Sequence, residues 1–335
     1  MNRKFGKFFA ALLSISFCFI GTQNVTCLAD EIPSTASETS IVQMTSTYTY
    51  DEMCEDMVLL ANAYPDYVHI ASTATTAEGR NIPYMILGNI DAPSSIMIQG
   101  SIHAREYLCT QVIMKMTETY ASDNISLGNV NLYVVPMANP DGVSIAQMGA
   151  VAAYDEPTRN FIIQTGHLSE WKSNAMGVDL NRNFDTGWIS INQGVYSPSY
   201  MLYKGASPDS ESEVQFLMNL AYSKSFSAFI SYHMVGNLIY YDEPGNSASN
   251  STESSKLATV LSGVTGYKTK SLNSCLSSTG NVVQGGFTDW VQLTFDKPAV
   301  TLEIGSVLPP TGQKYANDIY QANLLSWVAA AQLYQ

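Results

Sequence analysis

Only four histidines occur in the 335 residues, at positions 69, 103, 167 and 233, so each can be weighed singly. His103 lies in "GSIHAREY", directly after the apolar run Ile96-Met97-Ile98 and three residues ahead of Glu106. A loop entering a helix can aim residues at this spacing at one point. His233 ends "AFISYH", a second apolar run, and ligands of open α/β sheets collect beyond the carboxyl ends of strands. Two histidines and a carboxylate, with a fourth position left for water, are the donor set of a catalytic zinc ion. An HxxE pair alone is more often a charged surface turn. The matching placement of His233 is what makes His103, Glu106 and His233 candidate metal ligands.

A base should accompany such a metal. Glu303 ends "AVTLEIG", a strand otherwise apolar, where a carboxylate needs a reason to exist. It is either a satisfied edge residue or, beside a metal, the acceptor of a proton from acidified water. In "GVDLNRNF", Asn181 and Arg182 offer an amide and a planar guanidinium fork suited to a free carboxylate such as a peptide C-terminus. The competing reading is an ordinary hydrogen-bonded loop. Arg105 could reach a substrate or form a surface ion pair. His69, inside "YVHIAS", reads as structural, and His167 as exposed.

These residues must be positioned by a scaffold of alternating elements. Met53, Met57, Leu60 and Ala61 recur at helical spacing over Tyr50 to Ala63, ended by Pro65. "YVHIAS" and "IPYMILGN" read as strands about a turn at Glu78, Gly79 and Arg80, and "SSIMIQG" as a buried strand before a helix from about Glu106 to Tyr120. "VNLYVVPMANPDG" predicts a strand running into a turn. An irregular stretch over 143–205 follows; long loops of this kind are usually functional or disordered. Ser207-Pro208 opens a further helix, "SAFISYH" and "KPAVTLEIG" are strands, and "NDIYQANLLSWVAAAQLY" is a terminal amphipathic helix. Strands alternating with helices predict one layered α/β domain.

Hydrophobic residues make up 46% and charged residues 13% of the chain, which excludes an intrinsically disordered polymer. Residues 1–29 read as an export signal: Arg3, Lys4 and Lys7 precede the apolar stretch Phe8 to Ile20, and Cys27-Leu28-Ala29 offers a cleavage site. That stretch is shorter than the roughly 20 residues that span a bilayer, so a secreted protein without a stable membrane span is expected. A flexible leader over 30–47 and a catalytic domain over 48–335 would follow. The formal net charge is −13, and cleavage would remove three positive and no negative side chains. Nucleic acid is therefore not an expected partner. Outside the signal, Cys54, Cys109 and Cys275 are too scattered for a disulfide framework or a CxxC clip.

Taken together, "GSIHAREY", "NPDG", "GVDLNRNF", "ISYH", "GGFTDW" and "VTLEIG", in that order from about Tyr48 to the C-terminus, resemble the zinc carboxypeptidase family. The resemblance implies a mixed, mainly parallel sheet of about eight strands sandwiched between helices, a single zinc ion on His103, Glu106 and His233, and Glu303 as general base. It implies that Asn181 and Arg182 hold the substrate's terminal carboxylate and that Arg105 contacts substrate further along the cleft. Lys172 stands where pancreatic-type members have an arginine that polarises the scissile carbonyl, and Asn281 where they have a mobile tyrosine. These features are similar to a bacterial branch that includes γ-D-glutamyl-diaminopimelate peptidases of cell-wall turnover. The expectation is a monomeric metallocarboxypeptidase, secreted free or in association with the cell wall, acting on peptides. The alternatives are a peptidase of muropeptide stems and a zinc-bound but inactive peptide-binding module. Thr288, in the "FTDW" segment that resembles a specificity-pocket wall, is uncharged and argues against a dedicated Lys/Arg pocket.

Overall fold

The computed structural model describes residues 40–45, 47–274, 285–308 and 312–335. The expected signal at 1–29, most of the leader, Cys275 and Asn281 lie outside the described residues. No described helix is long and apolar enough to cross a membrane.

Eight strands form one sheet: β1 (Val68–Thr75), β2 (Asn81–Leu87), β3 (Ser94–Gly100), β4 (Val130–Val135), β5 (Ala228–His233), β6 (Leu238–Tyr241), β7 (Lys268–Ser271) and β8 (Ala299–Glu303). Their order across the sheet is β1-β2-β4-β3-β5-β8-β6-β7. The centre, β4-β3-β5-β8, is parallel, whereas β1-β2, β2-β4 and β6-β8 are antiparallel. The mixed, mainly parallel eight-stranded α/β sheet expected from the sequence is therefore present.

The central strands are buried on both faces, as parallel strands covered by helices must be. Ile96, Ile98, Ile230, Tyr232, Val300 and Leu302 point into one core, with the inner faces of α1 (Tyr50–Ala63), α2 (Leu108–Ser122) and α6 (Ala248–Thr265). The alternate residues Met97, Phe229 and Ala299 point into a second core under α5 (Ser212–Tyr222) and α7 (Phe287–Phe295). By the two-residue period of a strand, Ser231 and His233 of β5 and Thr301 and Glu303 of β8 project on this second face.

Several elements differ from expectation for local reasons. "NPDG" is a helix start rather than a turn: Asn139 Oδ1 accepts the Gly142 N–H at 2.9 Å and Pro140 occupies the first turn of α3 (Pro140–Met148). The irregular 143–205 stretch also holds α4 (Glu156–Thr165), capped by Asp155. The helix expected from Ser207 begins at Ser212, because Asp209 N–H and Glu211 N–H donate to the Asn183 carbonyl and side-chain oxygen at 2.7 and 3.2 Å. The terminal helix is two, α8 (Gln313–Asn323) and α9 (Ser326–Leu333). The end of the expected leader is packed: Val42 and Met44 are buried, and the Ile41 N–H donates to Glu118 Oε1 at 2.6 Å. The packed chain thus reaches back at least to Ser40, ahead of Tyr48. Cys54 and Cys109 are free thiols.

Glu213, in the first turn of α5, is buried with Ser212 Oγ donating to its Oε2 at 3.0 Å. Burial, then nearby Asp141 and Glu211, pushes its carboxyl up to about 7. A folded-state pKa above the unfolded value means stability present at low pH and lost as pH rises through about 7. Glu213→Gln is expected to match the parent in denaturant unfolding near pH 5 and to exceed it by on the order of 2 kcal/mol near pH 8.5. The same difference at both pH values would contradict this account.

Candidate metal centre and substrate site

The chain leaves β3 at Gly100, and the buried Ser101 adopts a left-handed conformation at φ 54°. Its hydroxyl donates to the Glu106 carbonyl at 3.1 Å and accepts the Thr110 N–H at 3.2 Å, tying the loop to the start of α2. Asn139 Nδ2 donates to the Ile102 carbonyl at 3.1 Å, and the Ala104 N–H to the Lys172 carbonyl at 3.2 Å. A strained backbone braced from three sides fixes the 3-10 turn Ala104–Glu106 and its two side chains.

His103, Glu106 and His233 converge. His103 Nδ1 lies 3.0 Å from Glu106 Oε1 and 3.0 Å from His233 Nδ1, and His233 Nδ1 lies 3.1 Å from Glu106 Oε2. All three side chains are buried. Three donor atoms this close need a shared proton or a cation between them. Ligands at roughly 2.0–2.1 Å on a tetrahedral zinc ion sit about 3.3 Å from one another, so the spacing and the donor set of two imidazoles and one carboxylate fit zinc. Burial raises the Glu106 carboxyl, but His103 and then His233 outweigh it and hold it well below the usual range. The Met234 N–H adds a donor to Glu106 Oε2 at 3.1 Å.

Behind the ligands stands a residue that the sequence reading passed over. Asp179 is fully buried, with Oδ1 3.3 Å from His103 Nε2 and Oδ2 3.8 Å from Lys172 Nζ. Lys172, then His103, overcome the effect of burial and keep its carboxyl low. The two atoms face each other without hydrogen-bond geometry, and the carboxylate's charge favours a proton on Nε2, the tautomer that turns Nδ1 toward a metal. The signal for it was available: an acid between the apolar Val178 and Leu180, two residues before Asn181.

Glu303 is the register partner of His233 across β5 and β8 and shares its face. Burial pushes its carboxyl up to about 7, His233 and Lys172 pull it down and Glu106 pushes it up. Asn181 Oδ1 accepts the Phe287 N–H at 3.0 Å, while its NH2 makes no hydrogen bond among the described residues. Arg182 is held by Nε on Gln193 Oε1 at 3.2 Å and Nη1 on the Asn181 carbonyl at 2.6 Å, leaving Nη2 without a bond among the described residues. Gly285, at φ +88°, lets this loop close: a Cβ there would lie 2.8 Å from the Arg182 carbonyl oxygen. Arg105 is partly exposed beside Glu106, and its buried Nε has no partner among the described residues. His69 lies in β1 and His167 stacks on Tyr200, and neither joins the metal cluster.

A family model described as zinc carboxypeptidase matches residues 53–321. The chain belongs to the zinc carboxypeptidase family. It is 29% identical over 311 residues to a Gamma-D-glutamyl-L-diamino acid endopeptidase 1 of Lysinibacillus sphaericus, covering 88% of this chain and 74% of that protein. It is 28% identical over 295 residues to Carboxypeptidase B of Astacus astacus, covering 81% and 93%. The fold matches the crystal structure of Carboxypeptidase A from Helicoverpa armigera with a TM-score of 0.69 at 20% identity, covering 88% and 77% of the two chains. The protein is thus a zinc metallopeptidase, and His103, Glu106 and His233 form the cluster compatible with its metal. If Asp179 sets the His103 tautomer, Asp179→Asn should weaken zinc binding by about 10- to 100-fold, read by competition with a chromogenic chelator. Unchanged affinity would remove Asp179 from the metal's support.

Proposed function

We propose that this zinc carboxypeptidase is exported and removes residues from the C-termini of peptides, with Glu303 as its general base. The pairing of Glu303 with His233 carries this reading, because it sets a carboxylate beside the metal donors on the face that also holds Asn181 and Arg182. Zinc, when bound, supplies a Lewis acid that acidifies water toward neutrality and polarises a carbonyl. Glu303 takes the proton that the attacking water gives up and passes it to the amine as the C–N bond breaks. The amide of Asn181 and the fork of Arg182 hold the terminal carboxylate, which limits cleavage to the last peptide bond. Lys172 and Arg105 bear part of the negative charge that develops on the carbonyl oxygen. Lys172 does so as a point charge rather than a fork, and its tie to Asp179 links it to the metal's support.

The relative from Lysinibacillus sphaericus favours a second reading, hydrolysis of the γ-D-glutamyl bond in peptidoglycan stem peptides outside the cell. Substrates separate the two. An enzyme of wall turnover should cleave muropeptides and ignore blocked dipeptides, and mass spectrometry of the products would show which bond opens. Glu303→Gln is expected to bind zinc stoichiometrically and to lose at least about a thousandfold in kcat. Near-parental turnover in that variant would remove Glu303 from the chemistry, and binding without hydrolysis by the parent chain across a broad peptide set would mark a binding module instead.

A further inference from the structure

A guanidinium can meet a carboxylate along its side, through Nε and one Nη, or at its end, through both Nη atoms. In Arg182 the side is already taken. Its Nε donates to Gln193 Oε1 at 3.2 Å and its Nη1 to the Asn181 carbonyl at 2.6 Å, while Nη2 has no bond among the described residues. Both partners are neutral acceptors. They orient the fork without cancelling its charge, whereas an acid at position 193 would orient it and neutralise it together.

Gln193 lies on a loop that core packing alone does not hold, since Ile189 is 84% and Tyr196 77% exposed. Polar braces hold it instead. Lys204 Nζ donates to the carbonyls of Trp188 and Ile191 at 2.8 and 2.9 Å and stands 4.1 Å from the centre of the Trp188 ring, and Trp188 Nε1 donates to the Lys204 carbonyl at 2.9 Å. On the other flank, Asn192 Oδ1 accepts the Gly194 N–H at 3.3 Å and the Tyr196 hydroxyl at 2.8 Å. Ile191 is buried and backs onto Gly285, as the Arg182 carbonyl does, because a Cβ at Gly285 would lie 2.5 Å from Ile191 Cδ1 and 2.8 Å from that carbonyl oxygen. The loop is thereby pressed onto the segment that carries Arg182, and it delivers one acceptor to Nε.

We propose that Gln193 is a positioning residue for the fork: by occupying Nε it closes the side of Arg182 and leaves the end bearing Nη2 to meet the substrate's carboxylate. The proposal rests on the reading of Asn181 and Arg182 as holders of that carboxylate. Asn181 is anchored in the same manner, with Oδ1 on the Phe287 N–H at 3.0 Å and its NH2 left over. Each holder thus has one end fixed in the protein and one donor to spare. Without Gln193 the guanidinium gains rotational freedom that substrate binding must then remove.

The test uses the full zinc-loaded chain with a blocked α-linked peptide and a blocked γ-D-glutamyl peptide, each offered with a free terminal carboxylate and as the terminal amide. In the linkage that is cleaved, the parent chain should prefer the acid to the amide by at least about tenfold in kcat/KM, the scale of one charge-assisted hydrogen bond. Gln193→Met keeps the length of the side chain and removes the acceptor. It should raise KM for the acid by about tenfold and leave kcat within about twofold, with the kinetics of the amide and the zinc affinity as in the parent. An unchanged KM for the acid would overturn the proposal, and so would a loss of kcat shared by acid and amide, which marks a role in loop stability only. Equal rates on acid and amide in the parent would instead overturn the carboxylate-holding reading and the role of Gln193 with it. A parent preference that survives intact in Gln193→Met overturns the role of Gln193 alone.

Discussion

The site depends on three donor groups that the fold crowds onto one buried point. Two imidazole nitrogens and a carboxylate are held about 3 Å apart in a buried space, and such a cluster must be bridged by protons or by a cation. Ser101 in its left-handed conformation, the Asn139 amide, the Lys172 carbonyl and the Asp179 carboxylate all press the ligands together rather than letting them part. Preorganisation of this kind stores the cost in the folded protein, so that a divalent ion meets donors that need no rearrangement.

Sheet register is the second constraint, and it follows from hydrophobic alternation. Ile230 and Tyr232 of β5, like Val300 and Leu302 of β8, must face the core beneath α2 and α6. That requirement fixes Tyr232 opposite Leu302 and therefore His233 opposite Glu303. A slip of one residue would bury both polar ends in the wrong core, at a cost no local adjustment could offset. The same apolar packing that stabilises the sheet thus places a ligand and an acid side by side at its carboxyl edge.

Much of this was legible in the sequence because its signals are short-ranged. The strand that leads to His103 and the strand that ends in His233 carry apolar runs, and Glu303 is conspicuous as a carboxylate at the end of another. What escaped were features decided by tertiary contacts. The Pro and Gly of "NPDG" read as a turn, yet Asn139 caps a helix whose other amide bonds brace the metal loop. Residues 40–45 read as a leader because they close the Ser- and Thr-rich stretch 30–45, but Glu118 on α2 supplies the acceptor that orders their backbone. Asp179 has only a faint local signature, an acid between two apolar residues, and its importance comes from what lies across space from it.

The distribution of charge ties these points together. The chain is acidic overall, with 16 Lys and Arg against 29 Asp and Glu, yet Arg105, Lys172 and Arg182 gather around the metal donors. An acidic surface with a basic interior repels anions in general but admits one that can reach the site, as a peptide's single terminal carboxylate does.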